Sequence, residues 1–153
     1  MMANEIADAL VRQAPDAIVF ADTGGVIRFW NAASTRIFGF TEDQAIGESL
    51  DLIIPERFRT AHWKGFDRAL QDHVTKYVGQ ALATRSVRSD GVQIYVELSF
   101  AIILDGDGKV LGAVSHARDI TERFERDRAN RKRLQELEAE TVVFKKHGGP
   151  VHQ

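Results

Sequence analysis

Three short turn segments divide the apolar runs of this chain into successive strand pairs, and they constrain its fold more than any other feature. The turns are Thr23-Gly24-Gly25, Ser89-Asp90-Gly91 and Asp105-Gly106-Asp107-Gly108. The runs they separate are 17–22, 26–31, about 78–88, 92–104 and 109–118. Because glycine and aspartate favour tight hairpins between such runs, we expect two antiparallel strands early in the chain and three more near its end.

A helical pattern fills the sequence between the second and third runs. Asn31 can cap a short helix that follows it, and Thr41 and Gln44 have the spacing of a capping box. The longest helical pattern begins at a proline and covers 55–71. Two strands, several helices and three strands in this order predict an α+β fold. We expect a five-stranded antiparallel sheet with helices on one face.

Both ends of the chain differ in composition from this central part. Residues 1–14 predict an amphipathic N-terminal helix, and 15–121 a single domain. Residues 122–141 are mostly charged and lack proline and glycine, so we expect a solvated helix there, with an incomplete coiled-coil seam. We expect 142–153 to be a disordered tail.

The overall composition excludes several functional classes. The 153 residues carry a net charge of −2, which gives no general reason to expect nucleic-acid binding. The chain has no cysteine, which excludes disulfides and thiolate chemistry and is consistent with a reducing compartment. No apolar run is long enough to span a membrane, and no signal peptide is visible. We therefore expect a soluble cytoplasmic protein.

The segment WNAASTRIFGFTEDQAIGESL, followed much later by a strand ending in RDIT, resembles the signature of PAS domains. The resemblance extends over about 5–121. It implies the PAS fold, with N-terminal and C-terminal helices added, and a sensory role in which a ligand is enclosed between the helices and the sheet. It also implies that the charged helix leads to an output domain or a downstream signalling partner.

A histidine lies within the apolar stripe of the longest predicted helix. At 100° per residue, Phe58, His62, Phe66 and Ala69 fall on one side of PERFRTAHWKGFDRALQ, with Ala61, Gly65 and Leu70 beside them. The opposite side carries Arg57, Thr60, Lys64, Asp67, Arg68 and Gln71. Burying an imidazole requires a partner for its nitrogens. That partner is either a backbone carbonyl, which is the commoner case, or a metal such as haem iron.

The stretch from IIPERFRTAHWKGF to RSVRSDG is similar to the FixL-type and Dos-type haem PAS oxygen sensors. The resemblance implies that His62 is the haem ligand and that Arg68 and Lys76 lie near the haem propionates. It implies that Leu98 and Phe100 are the apolar side chains over the distal face. The expected cofactor is haem b, with O2, CO, NO or a change of redox state as the signal.

Two positions depart from the pattern of those sensors. Leu82 replaces the arginine that stabilises bound oxygen, and Gln80 replaces the methionine that fills the sixth position in some relatives. A leucine donates no hydrogen bond, so selectivity for oxygen should be weaker. Gln80, on the same strand face, is a candidate donor, and Tyr77 is a further one.

Two other functions stay open. One is a flavin-binding domain with Trp30 and Asn31 beside the pocket, although the missing cysteine rules out a cysteinyl-flavin photoadduct. The other is a ligand-free module that forms a homodimer or binds a partner through Ile6, Leu10, Val11 and the C-terminal helix. We do not expect an enzyme. The pair His116 and Asp119 is more typical of a solvent-facing strand end than of a catalytic site.

Overall fold

The computed structural model describes residues 2–75 and 81–146, with 144–146 described by their backbone alone. The described residues form two compact units, one that ends at Asp119 and one that begins at Ile120. The helices are α1 Met2–Arg12, α2 Ala32–Phe38, α3 Glu42–Ala45, α4 Arg59–Asp72 and α5 Thr121–Lys146, with 3-10 helices at Leu50–Ile53 and Glu56–Phe58. The strands are β1 Ala17–Asp22, β2 Ile27–Trp30, β3 Leu82–Val87, β4 Gln93–Leu104 and β5 Val110–Asp119.

The five strands of the first unit form one antiparallel sheet in the order β2-β1-β5-β4-β3. The α+β class and the five-stranded antiparallel sheet predicted from the sequence are therefore confirmed. Alternate residues of the strands join α2, α3 and the first 3-10 helix in one hydrophobic core. The largest fully buried side chains in this core are Trp30, Phe38 and Ile27.

Asn31 fixes the junction of α1, β1 and α2. Its Oδ1 caps α2 by accepting from the Ser34 amide, and it also accepts from the Ile18 amide, both at 3.0 Å. Its Nδ2 donates to the carbonyls of Val11 and Asp16, at 2.9 and 3.1 Å. The buried side-chain amide of Asn31 thus forms hydrogen bonds through both its oxygen and its nitrogen. These bonds fix the relative positions of the three elements, because a replacement would leave several backbone groups unpaired.

Short sequence motifs determine where several helices begin and end. Thr41 and Gln44 form both bonds of the capping box at α3. The helix expected at 55–71 begins instead as a 3-10 turn and becomes α-helical from Arg59. It ends at His73, which adopts a left-handed conformation with φ of 59°. Of the strand expected at 78–88, the structure describes β3; residues 76–80 lie outside the described part.

The second unit contains α5, which continues to Lys146, beyond the expected end at 141. Nearly all of its described side chains are exposed, as expected for a helix with so much charge. Residues 147–153 of the expected tail lie outside the described part. Within the described residues, no helix is long and apolar enough to cross a membrane.

Candidate cofactor-binding site around His62

His62 lies in the first turn of α4 and is half-buried. Its Nδ1 atom is fully buried and, among the described residues, has no hydrogen-bond partner. Two aromatic rings of the same helix border the imidazole. The ring centroid of Trp63 lies 4.7 Å away in an edge-on arrangement, and that of Phe66 lies 5.9 Å away. Burying a polar atom without a partner costs free energy, so the Nδ1 of His62 is a candidate ligand-binding atom.

The surroundings of His62 keep its ring uncharged. Burial lowers the pKa of His62 below its ordinary value, because the charged imidazolium loses its hydration. The negative charge of Asp51 acts in the opposite direction and is the smaller effect. The ring is therefore neutral near pH 7 and retains a lone pair, which is the form in which histidine binds a metal.

Asp51 also fixes the aromatic ring beside His62. Its Oδ1 accepts a hydrogen bond of 2.8 Å from the indole Nε1 of Trp63. The far edge of the same indole lies against Gly25 in the β1–β2 turn, where a Cβ would lie far inside van der Waals contact. The roles of Asp51 and Trp63 could not be predicted from the sequence, because a contact between residues twelve apart on different elements leaves no local pattern.

Three of the strand residues expected to face the ligand lie on one face of the sheet. Leu82 pairs directly with Leu98 across β3 and β4, and Phe100 follows two residues later on the same face. Leu98 packs against the hydrophobic core, as do Trp63 and Phe66 from α4. Trp63 and Phe66, next to His62, and Leu98 of the expected distal wall thus contact the same core.

Other expected site residues lie elsewhere on α4 or outside the described part. Arg68 is exposed, with the other polar residues predicted on that side of the helix. Ala61 and Gly65 are also exposed, and a Cβ on Gly65 would meet nothing within 4 Å. The apolar stripe is therefore narrower than the wheel predicts. Lys76, Tyr77 and Gln80 lie outside the described residues.

The described residues contain no group of three or more histidine, cysteine, aspartate or glutamate side chains that could hold a metal ion. A site that offers one neutral imidazole does not suit a bare cation, which needs several protein ligands. It does suit haem, since the porphyrin supplies four nitrogens and the protein needs to supply one axial ligand. The donor at His62 therefore fits haem better than an isolated ion.

The residues considered for a flavin are fully occupied by the fold. Trp30 is 1% exposed, and its Nε1 donates to the Thr35 hydroxyl and to the Phe40 carbonyl. Asn31 makes the junction bonds described above. Both side chains are buried. His116 is exposed on β5, paired across the sheet with Ile18 and Ser99.

Comparison with known proteins agrees with this architecture. The model of the PAS fold family matches residues 11–125, most of the chain, so the chain belongs to the PAS fold family. The sensor protein FixL of Bradyrhizobium diazoefficiens is 28% identical over 134 residues, which cover 88% of this chain and 25% of FixL. The chain thus spans a quarter of the length of that relative.

Solved structures show the same fold. A PAS domain from Colwellia psychrerythraea superposes with a TM-score of 0.68 at 24% identity, over 80% of this chain and 99% of that one. An RNA-binding light-oxygen-voltage receptor superposes with a TM-score of 0.69 at 21% identity, over 92% of this chain and 39% of that one. At these identities the likeness concerns the fold.

Proposed function

We propose that this chain is a sensory PAS domain that binds haem b through the imidazole of His62 and responds to a diatomic gas or to a change of redox state. The observation that carries the proposal is the buried Nδ1 of His62, which has no hydrogen-bond partner among the described residues and belongs to a ring bordered by Trp63 and Phe66. The similarity to FixL, and the haem-sensor pattern around His62, support the choice of haem over other ligands.

Each residue of the candidate site has a distinct role in this proposal. His62 would supply the nitrogen that binds the iron, and burial favours the neutral imidazole, which has a lone pair on one of its two nitrogens. Leu82, Leu98 and Phe100 form an apolar wall that limits the entry of water. Arg68, which is exposed on α4, is available to pair with a carboxylate at the edge of the site. When bound, haem would supply an iron atom able to bind a diatomic gas.

The last strand provides the route by which a change at the site would leave the domain. Arg118, near the end of β5, forms two hydrogen bonds to the carboxylate of Asp16, at 3.0 and 3.1 Å. Asp16 directly precedes β1, so the end of β5 is joined to the start of the sheet. We propose that a ligand which binds two arrangements of the sheet differently shifts their populations and acts on α5, which follows β5 in the chain.

We also propose that the chain forms a homodimer in the cytoplasm. This dimer would signal to a downstream protein or output domain. The specific observation in favour of the dimer is that Leu134 and Leu137, three residues apart on α5, are largely exposed. We propose no enzymatic activity for the chain itself. In the alternative function, a ligand-free dimerisation module, the chain forms the same dimer and His62 has only a structural role.

Titration of the purified chain with hemin tests the haem proposal. We expect one equivalent to bind with a Soret band, and His62→Ala to lose that band. The matched control is His73→Ala, because His73 is an exposed histidine just after the same helix, and this variant should titrate like the wild type. A wild-type chain that takes up no hemin, or a His62→Ala chain that binds it unchanged, would contradict the proposal.

A further inference from the structure

The indole of Trp63 contacts both His62 and Asp51. Its ring centroid lies 4.7 Å from that of the imidazole, in an edge-on arrangement with an interplanar angle of 77°. A similar edge-on contact, with centroids 5.3 Å apart, joins the indole to Phe66. At its polar atom Nε1, the indole donates the 2.8 Å hydrogen bond to Asp51. The orientation of the imidazole is therefore linked, through one rigid ring, to a carboxylate on a different element.

The segment that carries Asp51 is itself held by several hydrogen bonds. The Ser49 hydroxyl accepts from the Asp51 amide at 3.1 Å, and Arg59 donates to the Asp51 carbonyl at 3.2 Å. Ser86 on β3 donates to the carbonyl of Ile53 at 2.6 Å. Because the last two bonds come from α4 and from the sheet, the carboxylate of Asp51 projects from a rigid support.

The β1–β2 turn lies against the other end of the indole. A Cβ at Gly25 would lie far inside van der Waals contact with Cη2 and Cζ3 of Trp63, so the backbone of the turn packs directly on the ring. The amide of Leu50, next to Asp51, donates to the Gly25 carbonyl at 3.0 Å. The turn and the Asp51 segment are thus bonded to each other and contact opposite ends of one indole. The indole cannot tilt without displacing one of them.

The imidazole of His62 depends on such a support for its orientation. Histidines that bind metals are commonly oriented by a hydrogen bond from their second nitrogen to a carboxylate, a carbonyl or a water molecule. The Nδ1 of His62 makes no such bond to any described residue. A carboxylate is nevertheless linked to the ring, because Asp51 bonds the indole that packs edge-on against it.

We propose that Asp51 and Trp63 are positioning residues, which hold the His62 imidazole in the orientation in which it binds haem iron. This inference deepens the proposed function and rests on it. Asp51 fixes the indole through its N–H, and the indole edge limits rotation of the imidazole. Without the bond both rings can reorient, and haem binding has to restore their arrangement. Loss of a support of this kind weakens a metal site by about ten- to a hundredfold.

Hemin titration of matched variants tests the two roles. Asp51→Ala removes the acceptor and should weaken hemin binding at least about tenfold. Asp51→Asn keeps an acceptor oxygen for the indole and should bind hemin with an affinity close to that of the wild type. Trp63→Phe cannot donate the bond and should be weakened, and adding Asp51→Ala to it should cause no further loss.

Gly47→Ala controls for a general loss of stability. Gly47 has a φ of +89° and a Cβ there would meet nothing within 4 Å, so this variant strains the backbone without touching the site. It should bind hemin like the wild type. A loss of affinity in Gly47→Ala as large as that in Asp51→Ala would overturn the positioning role, because reduced stability would then account for both.

Hydrogen exchange of the indole N–H groups provides a measurement that does not depend on haem. The chain has two tryptophans, and the Nε1 of Trp30 is bonded to Thr35 and Phe40, so Trp30 is an internal reference. In the chain without haem, Asp51→Ala should make exchange at Trp63 several-fold faster and leave Trp30 unchanged. Asp51→Asn should keep the Trp63 N–H protected.

The two measurements together separate the possible failures. An Asp51→Ala chain that binds hemin like the wild type, although exchange at Trp63 has become fast, would overturn the positioning role and leave the haem proposal standing. An Asp51→Asn chain as weak as Asp51→Ala would overturn the role of the hydrogen bond, and independent losses in Asp51→Ala and Trp63→Phe would overturn the link through the indole. A wild-type chain that takes up no hemin would overturn the proposed function, and this inference with it.

Discussion

Replacing Gly25 by alanine tests whether the β1–β2 turn supports the aromatic side of the candidate site. Gly25 has a φ of +77°, and the new Cβ would lie far inside van der Waals contact with Cη2 and Cζ3 of Trp63. The left-handed backbone costs a non-glycine residue roughly 1–2 kcal/mol, and overpacking against a rigid ring adds about 1–3 kcal/mol. We therefore expect Gly25→Ala to lower the free energy of unfolding by about 2–5 kcal/mol.

Gly47→Ala is the matched control. Gly47 has a similar φ of +89°, but a Cβ there would meet nothing within 4 Å. This variant should cost only the backbone term, about 1–2 kcal/mol. The difference between the two variants, about 1–3 kcal/mol, measures the contact with Trp63. Urea denaturation followed by circular dichroism gives both values.

A double-mutant cycle identifies the ring as the cause. In the Trp63→Phe background the smaller ring leaves space for the new Cβ, so Gly25→Ala should cost about 1 kcal/mol less than in the wild type. Equal costs for Gly25→Ala and Gly47→Ala, or an unchanged cost in the Trp63→Phe background, would refute the argument that Gly25 and Trp63 pack this closely.

Three further predictions concern single residues. Asn31→Ala should lower the free energy of unfolding by about 2–4 kcal/mol, because four buried or part-buried backbone groups lose a hydrogen bond to its side chain. Chemical denaturation checks this, and a loss under about 1 kcal/mol would contradict it. Thr41→Ala removes one bond of the capping box and should cost about 1 kcal/mol in the same assay, whereas Thr60→Ala, on the exposed side of α4 and without a capping bond, should cost little. Because burial lowers the pKa of His62 from 6.5, the unfolded chain holds that proton more tightly. The free energy of unfolding should therefore fall as the pH drops below about 6.5, and this fall should end below the pKa that His62 has in the folded chain. Urea titrations between pH 5 and 8 should show the fall in the wild type and not in His62→Gln.

Elements that depend on local signals could be predicted from the sequence. The apolar run at 17–22 became β1 with the expected ends, and the Asn31 and Thr41 caps formed as their spacing indicated. Hairpin turns rich in glycine and aspartate fixed the antiparallel pairing of β4 and β5. In each case a few adjacent residues determine the geometry, so a pattern within one segment is enough.

The surroundings of His62 depended on contacts that the sequence does not reveal. The wheel placed His62 on an apolar stripe, but Ala61 and Gly65 proved exposed, because α4 packs by a narrower face than its composition suggests. The bond from Trp63 to Asp51 joins two elements whose approach is set by the whole fold. Likewise, the sequence predicted an amphipathic α1, but only the fold shows that none of its residues is buried in the domain.

Chemical rescue of a histidine-free site tests the central claim, that the His62 imidazole is the group that binds haem iron. His62→Gly removes the ring and leaves space beside Trp63 and Phe66, and free imidazole can enter that space. We predict that hemin gives the wild-type chain a Soret spectrum that His62→Gly lacks, and that added imidazole restores this spectrum in His62→Gly. A His62→Gly chain with the wild-type spectrum and affinity before imidazole is added would contradict the claim, as would a wild-type chain that binds no hemin.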